Sequence, residues 1–92
     1  KTNMGTAGIK FKVMPESPDV DLDDIEQKVK SKIEQGGGRN RQYEKQPIAF
    51  GLKALIAFFE WGEDQELEPL QEELQTLEGV KSVEVVDMRK LD

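Results

Sequence analysis

Four groups of residues in this chain could do chemistry, and three of them have a plainer explanation. From Glu60 to Glu78 the sequence carries Glu60, Glu63, Asp64, Glu66, Glu68, Glu72, Glu73 and Glu78 with no basic residue among them. Such a run could attract a basic partner surface, but a solvated helix face with its loop accounts for it more simply. It lacks the alternating Asp/Asn ligands and central glycine of a calcium loop, so a metal role is rejected. The stretch GGGRNR, Gly36 to Arg41, could cradle an anion between backbone amides and two guanidinium groups. No Lys-Ser/Thr follows it and no helix begins there, so it is not a phosphate loop but a flexible helix-to-strand connection. Lys10 and Lys12, with Tyr43, could line one face of a sheet. RNA recognition on such a face needs paired aromatics on the central strands, and the first strand offers lysines instead. The fourth group is the apolar turn QPIAFGLKAL, Gln46 to Leu55, together with the basic tail Arg89-Lys90. A large ring between Ala49 and Gly51 has no obvious place in a core.

Composition removes most other chemistry. The chain has no cysteine and no histidine, which excludes disulfides, thiolate nucleophiles, Cys/His zinc sites and the usual general base near neutral pH. Nineteen acidic against thirteen basic residues leave a formal charge of -6, unfavourable for a phosphate backbone. Direct nucleic-acid binding is therefore not expected. No apolar run approaches the roughly 20 residues of a membrane span, and the N-terminus has no apolar signal stretch. The expected location is the cytoplasm, with no membrane partner and no cofactor. At 92 residues and 36% apolar composition the chain can build one core.

The elements that must position these residues follow from hydrophobic period. Ile9, Phe11 and Val13 alternate with Gly8, Lys10, Lys12 and Met14, the pattern of a strand with one buried face, and Pro15 and Pro18 close it. Leu22, Ile25, Val29 and Ile33 form one helical stripe, with Asp21 at the N-cap. Asp23, Asp24 and Glu26 early and Lys28, Lys30 and Lys32 late complement the helix dipole. Gly36 is expected to end that helix as a left-handed cap. Arg39 to Gln46 reads as an edge strand, and Leu52 to Trp61, apolar at successive positions, as a central one. Pro69 fits the first turn of a second helix with Leu70, Leu74 and Leu77 buried and Gly79 as its cap. In Val80 to Met88 the valines change phase near Val85, the mark of a bulge. The sum is an α+β fold, a ferredoxin-like β-α-β-β-α-β plait. Two helices of about three turns cover one face of a four-stranded antiparallel sheet, with strands one and three side by side at its centre. Such a plait hosts many functions, so function has to come from particular residues.

Three segments carry a family likeness. Gln46 to Leu55 resembles the turn of elongation factor 1-beta and its eukaryotic relatives, which has a Pro-aliphatic-small-aromatic-Gly-aliphatic-Lys pattern at this place. VMPESPDVDLDDI, Val13 to Ile25, and EGVKSVEVVDMRKL, Glu78 to Leu91, are similar to the first strand-helix junction and the last strand of the archaeal members. The likeness covers the chain from Met4. On it, Met4 is taken as the natural start, residues 4–92 as a single exchange-factor domain, and residues 1–3 as an appended remnant.

The resemblance implies a guanine-nucleotide exchange factor for elongation factor 1-alpha, the GTPase that carries aminoacyl-tRNA to the ribosome, and no covalent chemistry. It further implies that Lys90 enters the region where that GTPase binds Mg²⁺ and phosphate. Phe50 would dock in a pocket on the GTPase's second domain, with Pro47, Ile48, Gly51, Lys53 and Arg89 in the partner surface. Three departures from the family pattern stand out. Asp92 follows Leu91 and could screen Lys90, Arg89 offers a second cation beside it, and Ala49 replaces a glycine common in the eukaryotic turn. Without the resemblance, Lys90 is a solvated terminal lysine and Phe50 a core residue opening the third strand. The alternative function is a non-catalytic ferredoxin-like interaction module or a small-ligand regulatory one.

Overall fold

The computed structural model describes residues 5–90, so the expected remnant and Met4, with Leu91 and Asp92, lie outside the described residues. The elements run β1 (Thr6–Pro15), α1 (Leu22–Gln35), β2 (Arg39–Pro47), a single 3-10 turn (Ala49–Gly51), β3 (Lys53–Gly62), α2 (Glu68–Gln75) and β4 (Val80–Lys90). The four strands form one antiparallel sheet in the order β2-β3-β1-β4. This is the expected α+β plait with β1 and β3 at the centre.

Alternation in β1 puts Ile9, Phe11 and Val13 on the helix side, in register with Phe59, Ala57 and Leu55 of β3. Leu22, Ile25, Val29 and Ile33 of α1 and Leu70 and Leu74 of α2 close over them. Each such aliphatic or aromatic side chain contributes about 1.5–3 kcal/mol on full burial. At the centre, Phe11 meets Phe59 edge-on with ring centroids 5.1 Å apart, and Phe59 meets Trp61 at 6.0 Å.

Helix α1 begins where expected, with the Asp21 carboxylate accepting from the Asp23 amide at 3.0 Å. Lys28–Asp24 at 3.1 Å and Lys30–Glu26 at 3.0 Å are i,i+4 ion pairs along its surface. Its C-terminus departs from expectation by one residue. Gly36 has φ -86, and Gly37, at φ 89, takes the left-handed position. Gly36 and Gly38 serve a different need: a Cβ would lie 2.5 Å from Trp61 Cη2 at the first and 2.7 Å from Trp61 Cε3 at the second. The glycine run therefore seats the indole ring, and a side chain at either end would displace it.

Helix α2 is shorter than expected, eight residues against fourteen in α1. Leu77 is half-buried beyond its end, and Gly79, at φ 90, serves the turn into β4 rather than the helix cap. As a result α2 covers only the first half of β4, where Val80 and Val83 are buried and Gln71 Nε2 donates to the Val83 carbonyl at 2.7 Å. Beyond that point Val85, Val86 and Met88 are exposed.

Candidate functional site

The turn between β2 and β3 opens after the last register pair, Pro47 with Lys53. The Ile48 amide donates to the Leu52 carbonyl at 2.7 Å and the Leu52 amide to the Ala49 carbonyl at 3.2 Å, which holds the turn as a closed unit. Reversing the chain within it takes two successive positive φ angles, 63° at Phe50 and 76° at Gly51. Glycine accepts that conformation freely. A phenylalanine does so at a cost of about 1–2 kcal/mol, because its Cβ crowds the carbonyl oxygen. The ring gains no packing in return, since Phe50 is 94% exposed. Pro47 and Lys53 are exposed beside it and Ile48 is half-buried. The core alternative for Phe50 is therefore excluded. A strained backbone that holds a large apolar ring in water is a feature in need of a partner.

A polar hollow of about 310 Å³ lies next to this turn, lined by Gly51, Lys53 and Lys45 together with the loop before α1 and that helix's first turn. The Asp23 carboxylate accepts a hydrogen bond from Lys45 Nζ, which raises the exposed ammonium's pKa and keeps it charged. The pair links the end of β2 to the first turn of α1.

The basic tail is set by the register of β4 on β1. Phe11 pairs with Val85 and Lys10 with Asp87, so Val86 is an extra residue, the expected bulge. Its effect is to reset the alternation. Met88, opposite Ile9, and Lys90, opposite Ala7, return to the helix side of the sheet, while Arg89, opposite Gly8, takes the other side with Asp87. Arg89 Nε pairs with Asp87 Oδ2 at 3.3 Å. Lys90 is exposed and makes no ion pair among the described residues. The two neighbouring cations thus differ, one engaged within its own strand and one with its charge unmatched. Asp92, expected as a possible screen of Lys90, lies outside the described residues.

Phe50 and Lys90 are not brought together. Lys53, just after the turn, and Trp61, level with Ala7 and Lys90, are eight residues apart in β3, roughly 26 Å at about 3.3 Å per residue. They stand near opposite ends of β3. A single partner touching both must reach across roughly 26 Å.

Tyr43 does not line the open face. A register shift between Asn40 and Gln42 turns it toward α1, where its hydroxyl donates to Asn40 Oδ1 at 2.5 Å and Lys30 Nζ lies 5.0 Å from the ring centre. Burial, with the Glu26 and Glu34 charges behind it, pushes the phenol well above its ordinary pKa. The aromatic on the open face is instead Phe58, with Lys10 Nζ 4.9 Å from its ring centre. Its even phase in β3, opposite to that of Phe59 and Trp61, was the signal that could have found it. Among the described residues no group of three or more His, Cys, Asp or Glu side chains is placed to hold a metal ion. None of the described helices is long and apolar enough to cross a membrane.

The molecule so far is a plait with an exposed aromatic in a left-handed turn at one end of β3 and, level with the other end, a lysine that makes no ion pair among the described residues. Residues 8–91 match the EF-1 guanine nucleotide exchange domain, and the chain belongs to that family of translation elongation factors. It is 38% identical to elongation factor 1-beta of Methanosarcina barkeri over 96% of this chain and 100% of the relative. The protein of the same name from Methanothermobacter thermautotrophicus is 39% identical over 96% of this chain and 99% of its own length. That from Archaeoglobus fulgidus is 39% identical over 96% and 100%. Solved structures share the fold at low identity. The C-terminal domain of the MgtC protein from Mycobacterium tuberculosis superposes with a TM-score of 0.62 at 18% identity, covering 99% of this chain and 94% of that one. The ACT domain of the GTP pyrophosphokinase of Chlorobium tepidum gives 0.57 at 17% identity, covering 91% and 100%.

Proposed function

We propose that this chain promotes release of GDP from elongation factor 1-alpha in the cytoplasm, with Phe50 as the anchor and Lys90 as the group that disturbs the nucleotide site. The observation that carries the reading is the conformation of Phe50, 94% exposed at φ 63 on a turn that lies within the matched exchange domain. Backbone strain without local return is consistent with a ring whose packing partner belongs to another molecule. An aromatic seated in a pocket near an interface centre supplies a large share of binding energy. Pro47, Ile48, Gly51 and Lys53 form the surface around it.

At the other end, Lys90 has its charge unmatched, whereas Arg89 is held by Asp87, which favours Lys90 as the entering cation. Two unit charges about 4 Å apart interact by roughly 4 kcal/mol at an effective dielectric near 20, and Mg²⁺ carries two. The Lys90 ammonium brought to that distance would oppose a Mg²⁺ held in the GTPase's site and so weaken the hold on GDP that such an ion supplies. Each 1.4 kcal/mol of coupling weakens GDP tenfold, and by reciprocity bound nucleotide loosens the exchange factor equally. Incoming GTP therefore releases the complex, and no bond is made or broken.

The roughly 26 Å between the two ends fits a division of labour, in which one domain of the GTPase is gripped while another is disturbed. The test is release of a fluorescent GDP analogue from the cognate elongation factor 1-alpha with and without the chain. Acceleration at micromolar concentration is expected. An unchanged release rate would rule out exchange and leave a non-catalytic adaptor.

A further inference from the structure

β4 is an edge strand, and its outer edge pairs with no other strand of the sheet. An open edge offers a row of backbone donors and acceptors to another strand, and charge, proline or a bulge commonly blunts it. The opposite edge, β2, is polar, exposed along most of its length and ends at Pro47. β4 instead shows Val85, Val86 and Met88 to solvent. Its bulge also makes the strand symmetrical. Val83, Val85, Met88 and Lys90 lie on the helix side, opposite Val13, Phe11, Ile9 and Ala7. Glu84, Val86, Asp87 and Arg89 lie on the open side, around Lys12, Lys10 and Gly8. Outward from the point between Val86 and Asp87 the order of faces is the same in both directions.

We propose that β4 pairs antiparallel with β4 of a second copy of this chain about a two-fold axis between Val86 and Asp87, joining the two four-stranded sheets into one. Val83 then stands opposite Lys90, Glu84 opposite Arg89, Val85 opposite Met88 and Val86 opposite Asp87, each pair on one face and each formed twice. A shift of one residue sets Glu84 against Met88 or Lys90, on the other face, and a shift of two sets Val85 against Val86 or Asp87 against Met88. The register that keeps every face also matches charge. Glu84, which makes no ion pair among the described residues, meets Arg89, whose guanidinium is otherwise held only by Asp87. The helix layer fits as well. α2 reaches β4 at Val83, where Gln71 donates to the backbone, and Val83 of one copy lies beside Lys90 of the other. Each α2, with Glu68, Glu72 and Glu73 and no basic residue, is thus brought next to the stretch and the lysine that the other α2 leaves uncovered. A single strand edge makes a small interface, so the pair is weak and forms with concentration. Lys90 lies within it, so on the exchange reading a paired chain is idle; the pairing itself does not rest on that reading.

Sedimentation of the full chain over roughly a hundredfold range of concentration should show the average mass climbing from one chain toward two. In a mixture of isotope-labelled and unlabelled chain, a filtered NOE should connect the methyls of Val85 with that of Met88, which within one chain are three residues, roughly 10 Å, apart along the strand. Glu84→Arg and Arg89→Glu, both at exposed positions, each set like charges opposite one another twice and should weaken pairing about tenfold. The double variant E84R/R89E should recover most of that loss, which also shows that the single variants fail through charge and not through folding. A mass that stays at one chain throughout would overturn the proposal. So would a pair that neither charge reversal weakens, or one that the double variant does not recover. None of these readouts uses the GTPase, so failure of the pairing and failure of the exchange reading are told apart.

Discussion

Phe50 shows most sharply how a single residue can be at odds with its own fold. Its backbone angles suit glycine and its side chain suits a core, yet it has neither surrounding. Replacing it with glycine removes the crowding, a gain of about 1–2 kcal/mol, against roughly 0.5–1 kcal/mol of added freedom in the unfolded chain. Phe50→Gly should therefore melt no lower than the parent by calorimetry while binding elongation factor 1-alpha far more weakly; a clear drop in melting temperature would mean that the ring supports the fold after all. The pattern Pro-Ile-Ala-Phe-Gly marked this residue in the sequence. Its left-handed φ could not be read there, because that depends on where the turn closes its hydrogen bonds. Tyr43 gave the opposite case. It was expected with Lys10 and Lys12 on one face of the sheet, and one register shift in β2 sends it to α1 instead. Since the fold holds its phenol above the ordinary value near 10, the unfolded chain ionises first. The stability linked to this group is fully present below pH 10 and is lost as pH rises beyond it. Because it is the only tyrosine, phenolate absorbance should appear together with loss of the helical signal rather than ahead of it, and a separate early titration near pH 10 would contradict the buried placement.

Among the elements, those with a strong period were legible and those set by packing were not. The α1 stripe, the β1 alternation and the phase change in β4 each reflect a face that must be buried, so residue order alone reveals them. The end of α2 and the identity of the left-handed glycine after α1 depend on what the neighbouring elements leave room for. Gly36 was expected in that position, but the approach of Trp61 requires glycine at 36 and 38 for space, and the positive φ falls at Gly37. Gly38→Ala puts a methyl 2.7 Å from both Ile33 Cγ2 and Trp61 Cε3, between buried groups that cannot swing away. It should destabilise by about 1–3 kcal/mol, a fall of roughly 4–24 °C in melting temperature, with altered Trp61 fluorescence in the folded state. An unchanged melt would show that the ring can shift freely, and would weaken the view that the glycine run exists to seat it.

At the scale of the molecule the plait acts as a spacer. Four antiparallel strands fix the distance between the Phe50 turn and the Lys90 end, and neither end contributes to the core. The family likeness pointed to both residues and the periods to the topology, but their separation needed the strand register. On the proposed reading the contributions of two ends so far apart should be separable, the Phe50 anchor setting how often a complex forms and Lys90 what happens within it. Stopped-flow release of fluorescent GDP, measured against rising concentrations of the parent, Phe50→Ala and Lys90→Ala chains, reads both quantities at once. Phe50→Ala should raise the half-saturating concentration by about tenfold or more, a loss of at least 1.4 kcal/mol, with the maximal rate kept. Lys90→Ala should lower the maximal rate at least tenfold with the half-saturating concentration nearly unchanged. A Lys90→Ala chain that reaches the parent's maximal rate would contradict the account.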